Sequence, residues 1–327
     1  MNNKYMKLAG IAIASLIVPL CTSCNFNDDN GKLKIVTSIY PEYDWVMNIL
    51  GEKKDSAEVT MLLDSSSDLH SYQPTPKDIK NIAKCDLLIY VGGESDEWVD
   101  NALKQALNKN MKTINLLETL GDGAKEEDEE GAEEDDHDEH DHDHDEEGVE
   151  YDEHIWLSLK NARLFVKTLG NKLGEIDFEN ASYYKRNADA YIASLSALDG
   201  RYQEAVDAKV KDTLLFADRY PFRYLLDDYE LKHVAAFNGC SAENTVGPNT
   251  LRMLVDKVNE LNLNVIYKID GSDGKIADAV KESTGKSDLK ILTMDSLQSG
   301  SSTQFSNKNN YLTRMENNLE ALKEGLK

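Results

Sequence analysis

The sequence predicts an α/β protein of two βα lobes, each with a parallel sheet, joined by a long rigid helix. Three observations carry this. Short apolar runs alternate with amphipathic stretches of ten or more residues in the first third of the chain, and the same alternation returns in the last third. Between them, residues 179–208 read as helix without a proline. Short strands separated by helices of that length imply parallel βαβ units. A helix of about 30 residues rises roughly 45 Å, longer than one small lobe needs.

Taken in order, "LKIVTSI" (33–39) reads as a strand, and "PEYDWVMNILG" as a helix with Pro41 in its first turn and Gly51 after its end. "AEVTMLL" is a second strand. "TPKDIKNIAK" is a helix with Thr75 placed to cap it and Pro76 at its first position. "DLLIYVG" is a third strand, "SDEWVDNALKQALNKN" a helix and "KTINLL" a fourth strand. The stretch "LKNARLFVKTLGNKLGEI" has apolar residues at 159, 162, 164–166, 169 and 173, a helical spacing. After the long helix come "TLLFA", "HVAAF", "TLRMLVDKVNELN", "NVIYKI", "GKIADAVKESTG", "KILTM" and a C-terminal helix. The expected boundaries are an N-terminal lobe 33–160, linker helices 161–210 and a C-terminal lobe 211–327. In open α/β sheets ligands bind outside the carboxyl ends of the strands, so binding residues are sought just after strands.

The 327 residues suffice for one large or two ordinary domains. The formal charge is −24, and residues 125–150 supply most of it, with 17 Asp or Glu against one Lys. With no basic face to displace counterions from phosphate, nucleic acid is excluded as a partner.

The N-terminus reads as an export signal over 1–23. Lys4 and Lys7 precede the 13-residue apolar run "LAGIAIASLIVPL", too short for the roughly 20 residues of a membrane span. Thr22 and Ser23 before Cys24 resemble a bacterial lipobox, although Leu20 lies one position too far upstream and Cys21 takes the usual Leu position. Cleavage before Cys24 with lipid on its sulfur is expected, followed by a polar tether over 24–32. The protein is therefore expected outside the cytoplasm, anchored to the membrane. The remaining Cys85 and Cys240 do not form a dense disulfide framework. Cys85 opens an apolar run and reads as a buried thiol.

The segment "EEDDHDEHDHDHDEEG" (133–148), within a loop over 121–150, has no apolar residue and cannot bury a core. Its carboxylates concentrate cations, and His137, His140, His142 and His144 add imidazoles that solubility does not require. A low-affinity metal collector and an acidic linker are the two readings.

His70 lies in "SSSDLHSYQPTP" after the second strand, and His154 in "DEHIWLSL". Together "H-S-Y-Q-P-T-P" and "D-E-H-I-W-L-S-L" resemble motifs of the metal-binding solute receptors of bacterial ABC importers, the cluster A-I (cluster 9) group for zinc and manganese. The usual forms there are P-H-x-Y-x-P-T-P and D-P-H-x-W-L-D-P. The resemblance covers nearly the whole mature chain, and the zinc-type members carry an acidic His-rich loop just before the second motif, as here.

The resemblance implies one metal ion held between the lobes. His70 matches the first ligand and His154 the second. The third, a histidine or glutamate in the family, falls on Arg219 in "LLFADRYPFRY", which cannot bind a cation; a one-residue offset moves it to Asp218. Asp218 alternatively pairs with Arg219 or Arg223, or caps a helix near Pro221. The fourth falls on Asp295 in "ILTMDSLQSG", which alternatively caps a turn. Glu243 is a substitute ligand, Glu42 reads as a helix-start charge and His233 as a structural or surface histidine.

Imidazole and carboxylate suit zinc at about 2.0–2.2 Å and also manganese; the His-rich loop points to zinc. The expectation is a zinc-capturing lipoprotein that serves an ABC permease, monomeric and without catalysis. The rivals are a manganese receptor of the same fold, a metal-binding surface adhesin and a zinc hydrolase, although H-E-x-x-H and G-x-S-x-G are both absent.

Overall fold

The first apolar run forms β1 (Leu33–Thr37) and leads into α1 (Tyr40–Leu50). The computed structural model describes residues 31–64, 68–127, 150–237, 246–306 and 308–327. Next come β2 (Ala57–Met61) and α2 (Pro76–Lys84). Thr75 and Asp78 cap α2 reciprocally: Thr75 Oγ1 accepts from Asp78 N at 3.3 Å and Asp78 Oδ2 from Thr75 N at 2.9 Å. β3 (Leu87–Tyr90) precedes α3 (Trp98–Leu103).

This third helix is shorter than its sequence suggested. The backbone amides of Leu107 and Asn108 turn back onto Ala83 O, and Asn108 Nδ2 donates to Cys85 O at 2.9 Å. Those tertiary bonds replace the helical ones. β4 (Lys112–Asn115) runs into a short α4 (Leu116–Leu120) capped by Asn115.

α5 (Leu159–Ile176) starts at Ser158, whose Oγ accepts from Asn161 N. α6 (Ala181–Asp207) has 27 residues, about 40 Å at 1.5 Å per residue. The two pack closely because residue 170 is glycine; a Cβ there would lie 2.7 Å from Ala188 Cβ. β5 (Thr213–Phe216), α7 (Arg223–Asp227), β6 (Lys232–Ala235), α8 (Pro248–Glu260), β7 (Val265–Ile269), α9 (Lys275–Thr284), β8 (Lys290–Met294) and α10 (Tyr311–Gly325) complete the described elements.

The strands form two four-stranded parallel sheets with the same order, β2-β1-β3-β4 and β6-β5-β7-β8. In the first, Ile35 pairs with Val59 on one side and Leu87 on the other. Strand order reverses beside β1 and beside β5, and the crevice at such reversals is where ligands sit.

The loops after the strands of one sheet meet those of the other. Ser302 N donates to Asp64 Oδ1 at 2.7 Å, and Arg219 Nη1 to Asp68 Oδ2 at 2.7 Å. Trp156, fully buried, donates from Nε1 to Ser296 O at 2.8 Å, and Tyr311 Oη donates to Trp156 O at 2.6 Å. One apolar core runs from Ile35 through α5 and α6 to Leu326. Buried Asp44 anchors it by accepting from Tyr191 Oη at 2.7 Å and Tyr311 N at 2.9 Å. Cys85 is a buried free thiol, as read, and burial pushes it up to about 12. Among the described residues no helix is long and apolar enough to cross a membrane. Cys24, Cys240, Glu243 and His137, His140, His142 and His144 lie outside the described residues.

Candidate metal centre

The loop after β2 carries His70 on a short helical turn over Leu69–Ser71. Asp68 starts that turn, its Oδ1 accepting from His70 N at 3.1 Å. His154 sits on the connection into α5, and Asp152 Oδ1 accepts from both its backbone N at 2.8 Å and its Nδ1 at 2.9 Å. That bond puts the proton on Nδ1 and the lone pair on Nε2, the pattern by which a carboxylate orients a metal-ligating histidine. Trp156 packs against the His154 ring, with centroids 5.1 Å apart.

The structure brings the two histidines together: their ring centroids are 5.4 Å apart. His154 is buried, while the His70 side chain keeps 27% exposure. Burial and the neighbouring His154 push the His70 pKa down to about 4. At neutral pH its imidazole is therefore uncharged, the form that binds metal.

Two residues beside the pair carry a signal the sequence reading passed over. Ser95, in the loop after β3, places Oγ 2.8 Å from His70 Nδ1. Glu153 is 5% exposed, its Oε1 accepts from Ser95 N at 2.9 Å, and its Oε2 lies 3.4 Å from His70 Nδ1. Burial pushes the Glu153 carboxyl up to about 7, against the opposing Ser95 bonds. Gly93 makes room for it: its φ is +77°, and a Cβ there would lie 2.3 Å from Glu153 Oε1. The available signal was the second letter of "DEH", where the family motif has proline.

A cavity of about 520 Å³ opens beside the pair. His70, Glu153 and His154 line its wall together with Glu94, Glu127 and Glu150. Glu127 and Glu150 flank the acidic His-rich segment and are joined backbone to backbone, Glu127 N donating to Glu150 O at 2.9 Å.

The remaining residues named from sequence are placed differently. Asp218 is buried, but its Oδ1 accepts from Arg219 N at 2.9 Å and its Oδ2 from Ile269 N at 3.3 Å, tying the β5 loop to the end of β7. Arg219 reaches Asp68, the residue that starts the His70 turn. Asp295 accepts from Arg314 Nε at 2.6 Å and from Leu297 N at 2.8 Å. Among the described residues, no three His, Cys, Asp or Glu side chains are grouped as a metal cage. Glu42 stands in the first turn of α1, as read, and is fully buried there, its Oε2 accepting from Ser38 N at 2.7 Å. His233 stacks on Tyr220 at 3.7 Å, a packing role.

A family model described as "Zinc-uptake complex component A periplasmic" matches residues 35–325. The chain is 32% identical over 332 residues to the high-affinity zinc uptake system protein ZnuA of Bacillus subtilis, covering 100% of this chain and 99% of that protein. It is 30% identical over 320 residues to the zinc-binding lipoprotein AdcA of Streptococcus pneumoniae, where it covers 98% of this chain but spans 61% of the relative. Among solved structures, the Zn(II)-bound ZnuA-like domain of Streptococcus pneumoniae AdcA has a TM-score of 0.71 and 27% identity, covering 90% of this chain and 99% of that one.

Proposed function

This chain belongs to the family of periplasmic zinc-uptake complex component A proteins, transport components rather than enzymes, and from that premise we propose that it captures a zinc ion outside the cytoplasm and delivers it to an ABC permease. The ion is held at His70 and His154. Lipid on Cys24 holds the protein at the membrane surface. His137, His140, His142 and His144 collect zinc at low affinity next to the cavity that Glu127 and Glu150 border.

The observation that carries this reading is the imidazole pair: ring centroids 5.4 Å apart, with His154 Nδ1 bound to a carboxylate and His70 Nδ1 to a hydroxyl. Neutral imidazoles in a cleft lined by carboxylates favour zinc over manganese, because nitrogen donors rank zinc higher. The manganese reading draws on Asp218 and Asp295, and both carboxylates are engaged, by Ile269 N and by Arg314. Asp218, Asp295 and Glu243 stay candidates for the remaining positions of the shell.

The test is a competition titration of the chelator-stripped mature protein with zinc and manganese, repeated on His70→Ala, His154→Ala and a chain lacking residues 125–150. One tight zinc site is expected to survive removal of the segment and to be lost in both histidine variants. Manganese binding as tightly as zinc, or loss of tight binding with the segment, overturns the assignment.

A further inference from the structure

Glu153 is a buried carboxylate with one oxygen that no hydrogen bond satisfies. Its Oε1 is held by Ser95 N, while Oε2 has no hydrogen-bond partner among the described residues and lines the cavity that holds both histidines. An isolated carboxylate in such a place is costly unless a cation meets it. Among the described residues its one ion-pair neighbour is the His70 imidazole, 3.4 Å away.

That separation has a geometric meaning. Two corners of a tetrahedron 3.4 Å apart lie about 2.1 Å from its centre, the zinc–nitrogen and zinc–oxygen distance, so one ion can bridge His70 Nδ1 and Oε2 once Nδ1 exchanges its 2.8 Å bond to Ser95 Oγ for the metal. The position the resemblance assigns to a third ligand is Arg219, whose guanidinium is turned onto Asp68. The chain thus has a cation where a ligand is expected, and an unsatisfied carboxylate beside the two histidines.

We propose that Glu153 is a metal ligand of this chain, binding zinc through Oε2 beside His70 and His154 in place of a residue from the C-terminal lobe. The proposal rests on the zinc-capture reading above. Glu153 supplies one negative charge to a shell otherwise made of neutral imidazoles. It also shifts the site toward the N-terminal sheet and the acidic cavity. The alternative role, a hydrogen-bond acceptor that orients His70, makes a different prediction for glutamine, which keeps an acceptor oxygen but loses the charge.

The experiment is zinc and cobalt(II) titration of chelator-stripped Glu153→Gln, Glu153→Ala and His70→Ala proteins, with circular dichroism and thermal melting to confirm folding. Glu153→Gln is isosteric and preserves the packing against Gly93. A ligand role predicts that Gln and Ala both weaken zinc binding by more than about 100-fold, beyond the roughly 10–100-fold cost of losing a ligand's orienting partner. It also predicts a shifted visible band in the cobalt-loaded Gln variant. Near-normal affinity with an unchanged cobalt spectrum in Glu153→Gln overturns the proposal, whatever Ala does. If His70→Ala retains tight zinc binding, the capture site itself is misplaced, an outcome separate from the behaviour of Glu153.

Discussion

Replacing Glu42 by glutamine tests the electrostatics of the fold at the end of β1. Burial, with the charge of Asp96 adding to it, pushes the Glu42 carboxyl from 4.5 up to about 8, against the bonds from Ser38 and Ile39. Because the folded state resists ionising this group, its contribution to stability is complete below pH 4.5 and declines as pH rises through 8. A difference of roughly 3.5 pH units at about 1.4 kcal/mol each sets a ceiling of about 5 kcal/mol. Relaxation and water entry reduce this, so about 2–3 kcal/mol is expected. Glutamine still offers an oxygen to Ser38 N, and it cannot ionise. The assay is urea unfolding of both proteins at pH 5 to 9 with chelator present. Wild type should lose stability across this range more steeply than Glu42→Gln. Asp44, raised to about 6, lowers stability in the same direction in both proteins and cancels, so the difference between the two curves reports Glu42 together with its coupling to Asp96, which is likewise raised to about 6. Parallel curves would refute the reasoning.

Two other substitutions probe the site from either side. Arg219→Ala removes a cation whose charge reaches His70 and breaks the bridge to Asp68. Stability should fall by less than about 1 kcal/mol, as for a partly exposed pair, while zinc affinity rises a few-fold in a direct titration. Gly93→Ala adds a Cβ at φ +77° against Glu153 Oε1. It should cost about 1–3 kcal/mol in urea unfolding and weaken zinc binding in the same preparation.

Local signals made most elements legible in advance. The Thr75–Pro76 start of α2 and the spacing of α5 are properties of neighbouring residues, and the helices form where those residues stand. The short α4 was missed because five residues carry too little periodicity to register, whereas α7 stands just after Pro221, where a helix was anticipated. The expected long third helix ended early because Ala83 O and Cys85 O, distant in sequence, captured its C-terminal half. At the site, His70 and His154 stood out through their motifs. Glu153 lay inside one of the same motifs, yet its meaning depends on Ser95 and His70, 58 and 83 residues away.

By itself the sequence determined the alternation of strand and helix, the acidic His-rich segment and the two histidines, because each depends on residue type and short-range spacing. Tertiary structure alone decided the strand order of the two sheets, the 5.4 Å approach of His70 and His154, and the partners of the carboxylates. Asp218 meets Ile269 N, 51 residues away, and Asp295 meets Arg314 on α10. A carboxylate looks the same in sequence whether it faces a metal, an amide or a guanidinium. What distinguishes these is which group the packed chain places within about 3 Å of its oxygens.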